Sequence, residues 1–164
     1  MPAPILVFAV GNESRGDDAL APLLLRDLEG WAEAAGLDGQ VELIEDYQLQ
    51  VEHVTDLQNR SAVLFVDADM SCAEPFHFSE IAAEKDSSYT SHVMTPFALL
   101  HTYRQVYGTD APPAFLLRIR GYDFELGNPL SDKAAANLEA ATKRMRELCA
   151  DGDLQRWRQR LVNV

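Results

Sequence analysis

Apolar residues follow two alternating patterns along this chain. Some occur in short uninterrupted blocks, which predict strands buried on both faces of a sheet. Others recur at every third or fourth position, which predicts amphipathic helices. The uninterrupted blocks are 5–10 and 62–66, and further strands are predicted at 41–45 and 114–119, where charged residues interrupt the apolar ones. The segment 76–81 alternates apolar and polar residues, as an edge strand with one solvated face does.

Helical segments are predicted between these blocks. The first begins near Ala19 and places leucines at every fourth position from 20 to 28. Thr95 and Ser131 are suitable N-cap residues for two further helices, and Pro96 occupies the first helical position after Thr95. A short helix is favoured at 48–57. Strands and helices therefore alternate along most of the chain.

This alternation predicts an α/β fold, namely a three-layer α/β/α sandwich around a mainly parallel, twisted sheet of about five strands. We expect the strand at 76–81 to lie at an edge of the sheet and to run antiparallel. A length of 164 residues fits one domain, which we assign to 1–152, followed by a basic C-terminal tail at 153–164. The polar segment 84–89 is predicted to be a mobile loop.

Composition excludes several classes of protein. Hydrophobic residues at 47% and charged residues at 24% are typical of a globular domain. A net charge of −12 argues against binding to nucleic acid or to an anionic membrane surface. The chain has only Cys72 and Cys149, too few for a disulfide framework, and lacks a basic segment of the kind that opens a signal peptide. We expect a soluble cytoplasmic monomer.

The loop between the first strand and the first helix carries the most informative polar residues. It reads Gly-Asn-Glu-Ser-Arg-Gly-Asp-Asp over residues 11–18. In a parallel sheet this loop lies at the carboxyl end of a strand, where ligands usually bind. Because Asp17 and Asp18 would repel a phosphate from the helix start, they favour a cation site. The loop contains no nucleotide-binding glycine motif.

Two other polar residues occupy comparable positions. Asp67 ends a buried strand, and His92 precedes a helix. If the sheet is parallel, their loops open at the same edge as Asp17 and Asp18. Two carboxylates and an imidazole suit Zn²⁺ or Ni²⁺, whereas Mg²⁺ and Ca²⁺ favour oxygen ligands alone. Three protein ligands would leave coordination positions open for water or for a partner.

Each of these residues also has a purely structural interpretation. Asp17 or Asp18 alone could cap a helix and complement its dipole. An acidic residue after a buried strand is common in α/β folds, and an isolated loop histidine is usually hydrogen-bonded. Cys72 is better explained as a small buried thiol than as a nucleophile. The remaining histidines fit structural or exposed positions, and they are His53, His77 and His101.

The order of the motifs is more specific than any one of them. The chain carries GN-x₄-DD at 11–18, Asp67-Ala68 at the end of an apolar strand, Ser91-His92 before a helix, and FELG at 124–127 with Leu130-Ser131. In this order, over nearly the whole chain, it resembles the [NiFe]-hydrogenase maturation proteases. These endopeptidases trim the C-terminus of the hydrogenase large subunit. The nearest resemblance is to the branch serving bidirectional or group-specific cytoplasmic hydrogenases. Ala19 departs from the pattern, since many relatives have glycine there.

The resemblance implies a site and a substrate. Asp18, Asp67 and His92 would be the catalytic and nickel-binding residues, with Asp17 as a possible auxiliary. Nickel already inserted in the large-subunit precursor would be the recognition signal, and Zn or Cd could occupy the site in vitro. The metal could polarise the scissile carbonyl or activate water, or a carboxylate could drive hydrolysis while nickel only positions the substrate. Both mechanisms are open at this level.

Two other functions fit parts of the pattern. A receiver-like signalling domain would bind Mg²⁺ and accept phosphate on Asp67. It would require an acidic pair at the tip of the first strand and a lysine after the last one, but the chain has a full loop before Asp17 and the sequence Arg118-Ile119-Arg120. A nickel-binding maturation chaperone that cuts no bond is the other alternative.

Overall fold

The apolar blocks form a single five-stranded sheet in a computed structural model that describes residues 2–84 and 94–161. The strands are β1 (Ile5–Val10), β2 (Val41–Asp46), β3 (Ala62–Asp69), β4 (Phe76–Ile81) and β5 (Ala114–Arg120). The helices are α1 (Leu20–Ala34), α2 (Pro96–Tyr107), α3 (Asp132–Asp151) and α4 (Leu154–Gln159). Two 3₁₀ helices lie at Gly16–Ala19 and Val51–Leu57.

The sheet has the order β2-β1-β3-β5-β4, and every neighbouring pair is parallel except β4 with β5. The predicted parallel sheet with one antiparallel edge strand is therefore confirmed. Val10 is opposite Asp46 on one neighbouring strand and opposite Asp67 on the other. The carboxyl ends of the three strands thus lie level with one another, which brings their following loops to the same edge.

Alternating side chains build two cores, one on each face of the sheet. Val7 and Ala9 of β1 face the core that α1, α3 and α4 cover, whereas Leu6 and Phe8 face the core that α2 and the second 3₁₀ helix cover. This arrangement gives the expected three-layer sandwich. No helix in the described part of the chain is both long enough and apolar enough to cross a membrane.

The helix ends follow from their capping residues. The Thr95 hydroxyl accepts a hydrogen bond from the amide of Ala98 at 3.1 Å, and the Ser131 hydroxyl accepts one from Ala134 at 3.3 Å. Gly108 ends α2 in the left-handed region with φ of 74°, where glycine carries no steric penalty. These caps fix the entry points of α2 and α3 at the carboxyl edge of the sheet.

The structure differs from the prediction at three places. β3 continues to Asp69, so that Asp67 lies inside the strand instead of following it. In the segment assigned to a tail, α4 places Trp157 in the core with no exposed surface. The short helix expected at 48–57 is a 3₁₀ helix over Val51–Leu57, and Leu49 before it forms an isolated antiparallel bridge with Met94. Most of the loop predicted at 84–89 lies outside the described residues.

Candidate active site

The loop after β1 is held in a tight turn by its own polar groups. The amide of Asn12 donates to the Asp18 carboxylate at 2.7 Å, and the amide of Ser14 donates to the Asn12 side chain at 2.9 Å. A Cβ atom on Gly11 would lie 2.2 Å from the carbonyl oxygen of Asp18. Glycine is thus required for the loop to close onto Asp18, which explains the Gly-Asn pair.

Asp18 points its carboxylate back into this turn and is partly buried. Burial raises the pKa of Asp18, while the hydrogen bond from Asn12 and the charge of Arg15 act in the opposite direction. Desolvation is the stronger effect, because one amide donor and one exposed cation do not replace the lost water. Asp18 is therefore a carboxylate with unused acceptor capacity at the edge of the sheet.

Asp67 is the most strongly perturbed carboxyl group in this region. Its pKa is raised to about 7, mostly by burial and also by the charges of Asp18 and Asp69, while the hydrogen bond from the amide of Ala68 at 2.8 Å acts in the opposite direction. The effect of Asp18 on Asp67 means that the two groups share one electrostatic environment. Two carboxylates that share such an environment oppose each other's ionisation, so that they titrate as a pair. The structure thus brings together the two aspartates that the sequence singled out.

Asp17 is turned away from this pair and is fully buried. Its carboxylate accepts hydrogen bonds from the amides of Tyr122, Asp123 and Ser131 and from the Ser131 hydroxyl. Burial alone would raise the pKa of Asp17, but these donors together hold it below its usual value. Its observed contacts are therefore to the segment between β5 and α3.

His92, the third predicted ligand, lies outside the described residues. Within 2–84 and 94–161, no three His, Cys, Asp or Glu side chains are grouped so that they could hold a metal ion. The two aspartates thus form only part of the predicted ligand set. The described chain resumes at Met94, which bridges Leu49 in the loop that follows β2.

Burial raises the pKa of the Cys72 thiol, which is nearly inaccessible to solvent, as expected for a structural cysteine.

A polar network beside Asp67 was not anticipated from the sequence. Arg118 is the register partner of Asp67 on β5, but its guanidinium binds Asp69 at 3.1 Å. A second nitrogen of Arg118 lies 3.1 Å from Nδ1 of His77, which must accept because a guanidinium only donates. Burial, and then the charge of Arg118, lowers the pKa of His77. The sequence feature that could have predicted this network is a pair of arginines, Arg118 and Arg120, at alternate positions of an otherwise apolar strand.

A second unanticipated contact lies beyond β2. Nε2 of His53 is 3.3 Å from Asp46, while Nδ1 accepts a hydrogen bond from the amide of Gln50 at 2.8 Å. The ring packs edge-on against Phe8 with 4.7 Å between ring centroids. This histidine therefore closes the 3₁₀ helix onto the sheet, which agrees with the structural position expected for it.

Gly16 provides a test of how tightly the loop is built. Its φ is +53°, and a Cβ atom would lie 2.2 Å from the carbonyl oxygen of Asp123. We expect Gly16→Ala to lower the free energy of unfolding by about 2 kcal/mol, because it adds both backbone strain and a clash. Urea denaturation measures this loss. Gly39→Ala is the control, since nothing lies within 4 Å of a Cβ atom there; equal losses in both variants would contradict the assigned packing.

The fold is shared with several solved structures, although no protein-family model and no curated protein matches the sequence. A [NiFe] hydrogenase maturation protease, HycI, from Thermococcus kodakarensis KOD1 is 20% identical with a TM-score of 0.67, over 90% of this chain and 93% of that one. The hydrogenase maturating endopeptidase HybD from E. coli is 20% identical with a TM-score of 0.67, over 93% and 94% of the two chains. At this identity the similarity establishes that the chain has the same fold as these proteins.

Proposed function

We propose that this protein is an endopeptidase that removes the C-terminal extension of a [NiFe]-hydrogenase large-subunit precursor after nickel insertion. The observation that carries the proposal is the pairing of Asp18 with Asp67 at the carboxyl edge of a sheet whose fold matches HycI and HybD over most of their length. The ordered motifs at 11–18, 67–68, 91–92 and 124–131 support the same assignment.

The chemistry of the donor set fits nickel that arrives with the substrate. The carboxylates of Asp18 and Asp67 each accept one hydrogen bond within the described part of the chain, so that oxygen atoms remain for a metal ion. His92 would add an imidazole nitrogen. Such a set suits a borderline divalent ion and leaves coordination positions for ligands of the precursor. A bound metal ion would supply Lewis acidity at the scissile carbonyl. We therefore propose that nickel belongs to the substrate. This site completes the coordination of that nickel ion and does not bind nickel as a resident cofactor.

The proton chemistry is assigned to Asp67. A group with a pKa of about 7 exists in both protonation states near neutral pH, which is the property that a general acid or base requires. Burial also raises the pKa of Asp18, whose charge adds to the rise at Asp67. We propose that Asp18, Asp67 and His92 together hold the substrate's metal centre. Asp67 also accepts a proton from the attacking water and returns it to the amine that leaves when the peptide bond breaks.

The receiver-like alternative is less compatible with the architecture. A receiver domain has the strand order 2-1-3-4-5 with all strands parallel, whereas this sheet ends in an antiparallel β4 beside β5. Asp17 would have to face Asp67 to complete an acidic Mg²⁺ site, but its carboxylate is used by residues 122–131. We further propose that the protein acts in the cytoplasm, where free cysteines such as Cys72 and Cys149 stay reduced.

The deciding experiment incubates the purified protein with a C-terminally extended large subunit, with and without nickel, and measures the substrate mass. We expect loss of the C-terminal peptide only from the nickel-loaded precursor, and no loss with Asp18→Asn. Asp38→Asn is the matched control, because this exposed residue lies before β2, away from the carboxyl edge. An intact nickel-loaded precursor after prolonged incubation would favour a chaperone, and normal cleavage by Asp18→Asn would overturn the site.

A further inference from the structure

The segment between β5 and α3 is attached to the loop after β1 through one buried side chain. Oδ2 of Asp17 accepts hydrogen bonds from the amide of Tyr122 at 2.7 Å, the amide of Asp123 at 3.0 Å and the hydroxyl of Ser131 at 2.8 Å. Oδ1 accepts one from the amide of Ser131 at 2.7 Å. A single carboxylate thus holds both ends of the segment 122–131.

Main-chain contacts reinforce the same attachment. The amide of Asp17 donates to the carbonyl of Asp123 at 2.6 Å, the amide of Gly16 to Asn128 at 3.1 Å, and the amide of Gly127 to Ser14 at 2.7 Å. A Cβ atom at Gly121 would lie 2.9 Å from the Cβ of Asp17. The two stretches therefore form one packed unit, and we call this unit the Asp17 clamp (residues 14–17 with 121–131).

Asp18 depends on this clamp for its direction. Its carboxylate accepts one hydrogen bond within the described part of the chain, from the amide of Asn12. The peptide group that joins Asp17 to Asp18 is fixed on one side by the buried carboxylate and on the other by a hydrogen bond from the amide of Asp18 to the carbonyl of Arg15 at 3.0 Å. A rotation of Asp17 would therefore move Asp18 directly.

We propose that Asp17 is a positioning residue, which aims Asp18 at the site by locking the loop after β1 onto the segment 122–131. It takes no part in the reaction itself. The proposal rests on the proposed function only in the role given to Asp18. A carboxylate is needed because all four donors point at its two oxygens. An asparagine at this position would turn its NH₂ group toward at least one of those N–H or O–H groups and leave that donor without an acceptor.

The test follows Asn12, whose amide hydrogen reports the Asp18 contact. Two-dimensional amide NMR of the metal-free protein should show the Asn12 resonance of Asp17→Asn moved toward its position in Asp18→Asn, while the amides of Val7 and Leu64 in the sheet stay in place. Asp123→Asn is the matched control, because its carboxylate bonds within the segment and does not contact the Asp17 side chain. With nickel-loaded precursor, we expect kcat of Asp17→Asn to fall at least about tenfold and KM to change less than about twofold.

The outcomes separate this inference from the proposed function. A folded Asp17→Asn with an unmoved Asn12 resonance overturns the positioning role, whether or not the wild-type protein cleaves. A moved resonance with an inactive wild type keeps the clamp and rejects the peptidase assignment. If Asp17→Asn does not fold, Ser131→Ala decides, because it removes one hydroxyl contact to Oδ2; an Asn12 resonance identical to that of the wild type would then contradict the proposal.

Discussion

Replacing Asp67 by asparagine is expected to stabilise the metal-free protein above pH 7 and, in the same variant, to abolish cleavage. In the folded protein the pKa of Asp67 is raised to about 7 by burial, with the charges of Asp18 and Asp69 adding to the effect. In the unfolded chain the group returns to about 3.8. The folded state therefore prefers Asp67 neutral, and an asparagine supplies a permanently neutral side chain of the same shape.

The pH dependence has a definite sign. Below about pH 4 the carboxyl is protonated in both states, so that it contributes no difference. As the pH rises toward 7, the unfolded chain ionises while the folded protein retains its proton, and stability is progressively lost. Above pH 7 the folded protein carries this partly buried charge, and the destabilisation is complete. At about 1.4 kcal/mol for each pH unit, it amounts to as much as about 4 kcal/mol.

Urea denaturation in the presence of a chelator, at several values between pH 4 and pH 8, measures this effect. The stability difference between Asp67→Asn and the wild type should grow with pH across that interval and then level off. The side-chain amide oxygen of this variant can still accept the hydrogen bond from Ala68, which keeps the backbone contact intact. If the stability difference between the two proteins did not change with pH, the pKa of Asp67 would be the same in the folded and the unfolded protein, and this prediction would be wrong.

Cleavage by the same variant should fall by at least about 100-fold, the usual contribution of a positioned general base. The protein then tolerates a destabilising carboxyl group because the proposed reaction requires it, a compromise that is common at functional sites. A variant that is both more stable and fully active would remove Asp67 from the mechanism. Asp38→Asn, far from the edge, should change neither property.

The fold was predictable because its main determinants are local. Uninterrupted apolar blocks such as Ile5–Val10 can be buried only between two helical layers, and the alternation at Phe76–Ile81 marks a strand with one wet face. The pairing of Asp18 with Asp67 followed from the same reasoning, because parallel strands in register bring their carboxyl ends level. The part of the site that depends on His92 remains a prediction.

The contacts that sequence reasoning missed are those between distant residues. Asp17 bonds to Ser131, 114 positions away along the chain, and no local pattern announces such a partner. The sequence alone was equally consistent with Asp17 as a helix cap and with Asp17 as a metal ligand. Arg118 likewise binds Asp69 and not its register partner Asp67, a difference that depends on side-chain reach and not on strand order. Tertiary hydrogen bonding decides these roles.

The C-terminal segment shows the same limitation. Arginines at 156, 158 and 160 suggested a basic tail, and a helix of six residues is too short to show a clear apolar period. Trp157 alone carries the signal, because a large apolar side chain between charged neighbours needs a buried location. It lies edge-on to Phe115 with 5.3 Å between ring centroids, and its Nε1 donates to the carbonyl of Leu148 at 2.9 Å.

Trp157→Ala is therefore expected to lower the free energy of unfolding by about 3 to 5 kcal/mol, a loss typical of a large aromatic removed from a core. Because α4 would lose its only fully buried side chain, residues 153–161 should detach and become sensitive to protease. Limited proteolysis with mass spectrometry and urea denaturation measure both effects. Trp157→Phe is the control: it keeps most of the ring contact and loses the Nε1 hydrogen bond, so that its loss should be much smaller. If Trp157→Ala denatured at the same urea concentration as the wild type, the segment would be a tail after all, and the core would end with α3.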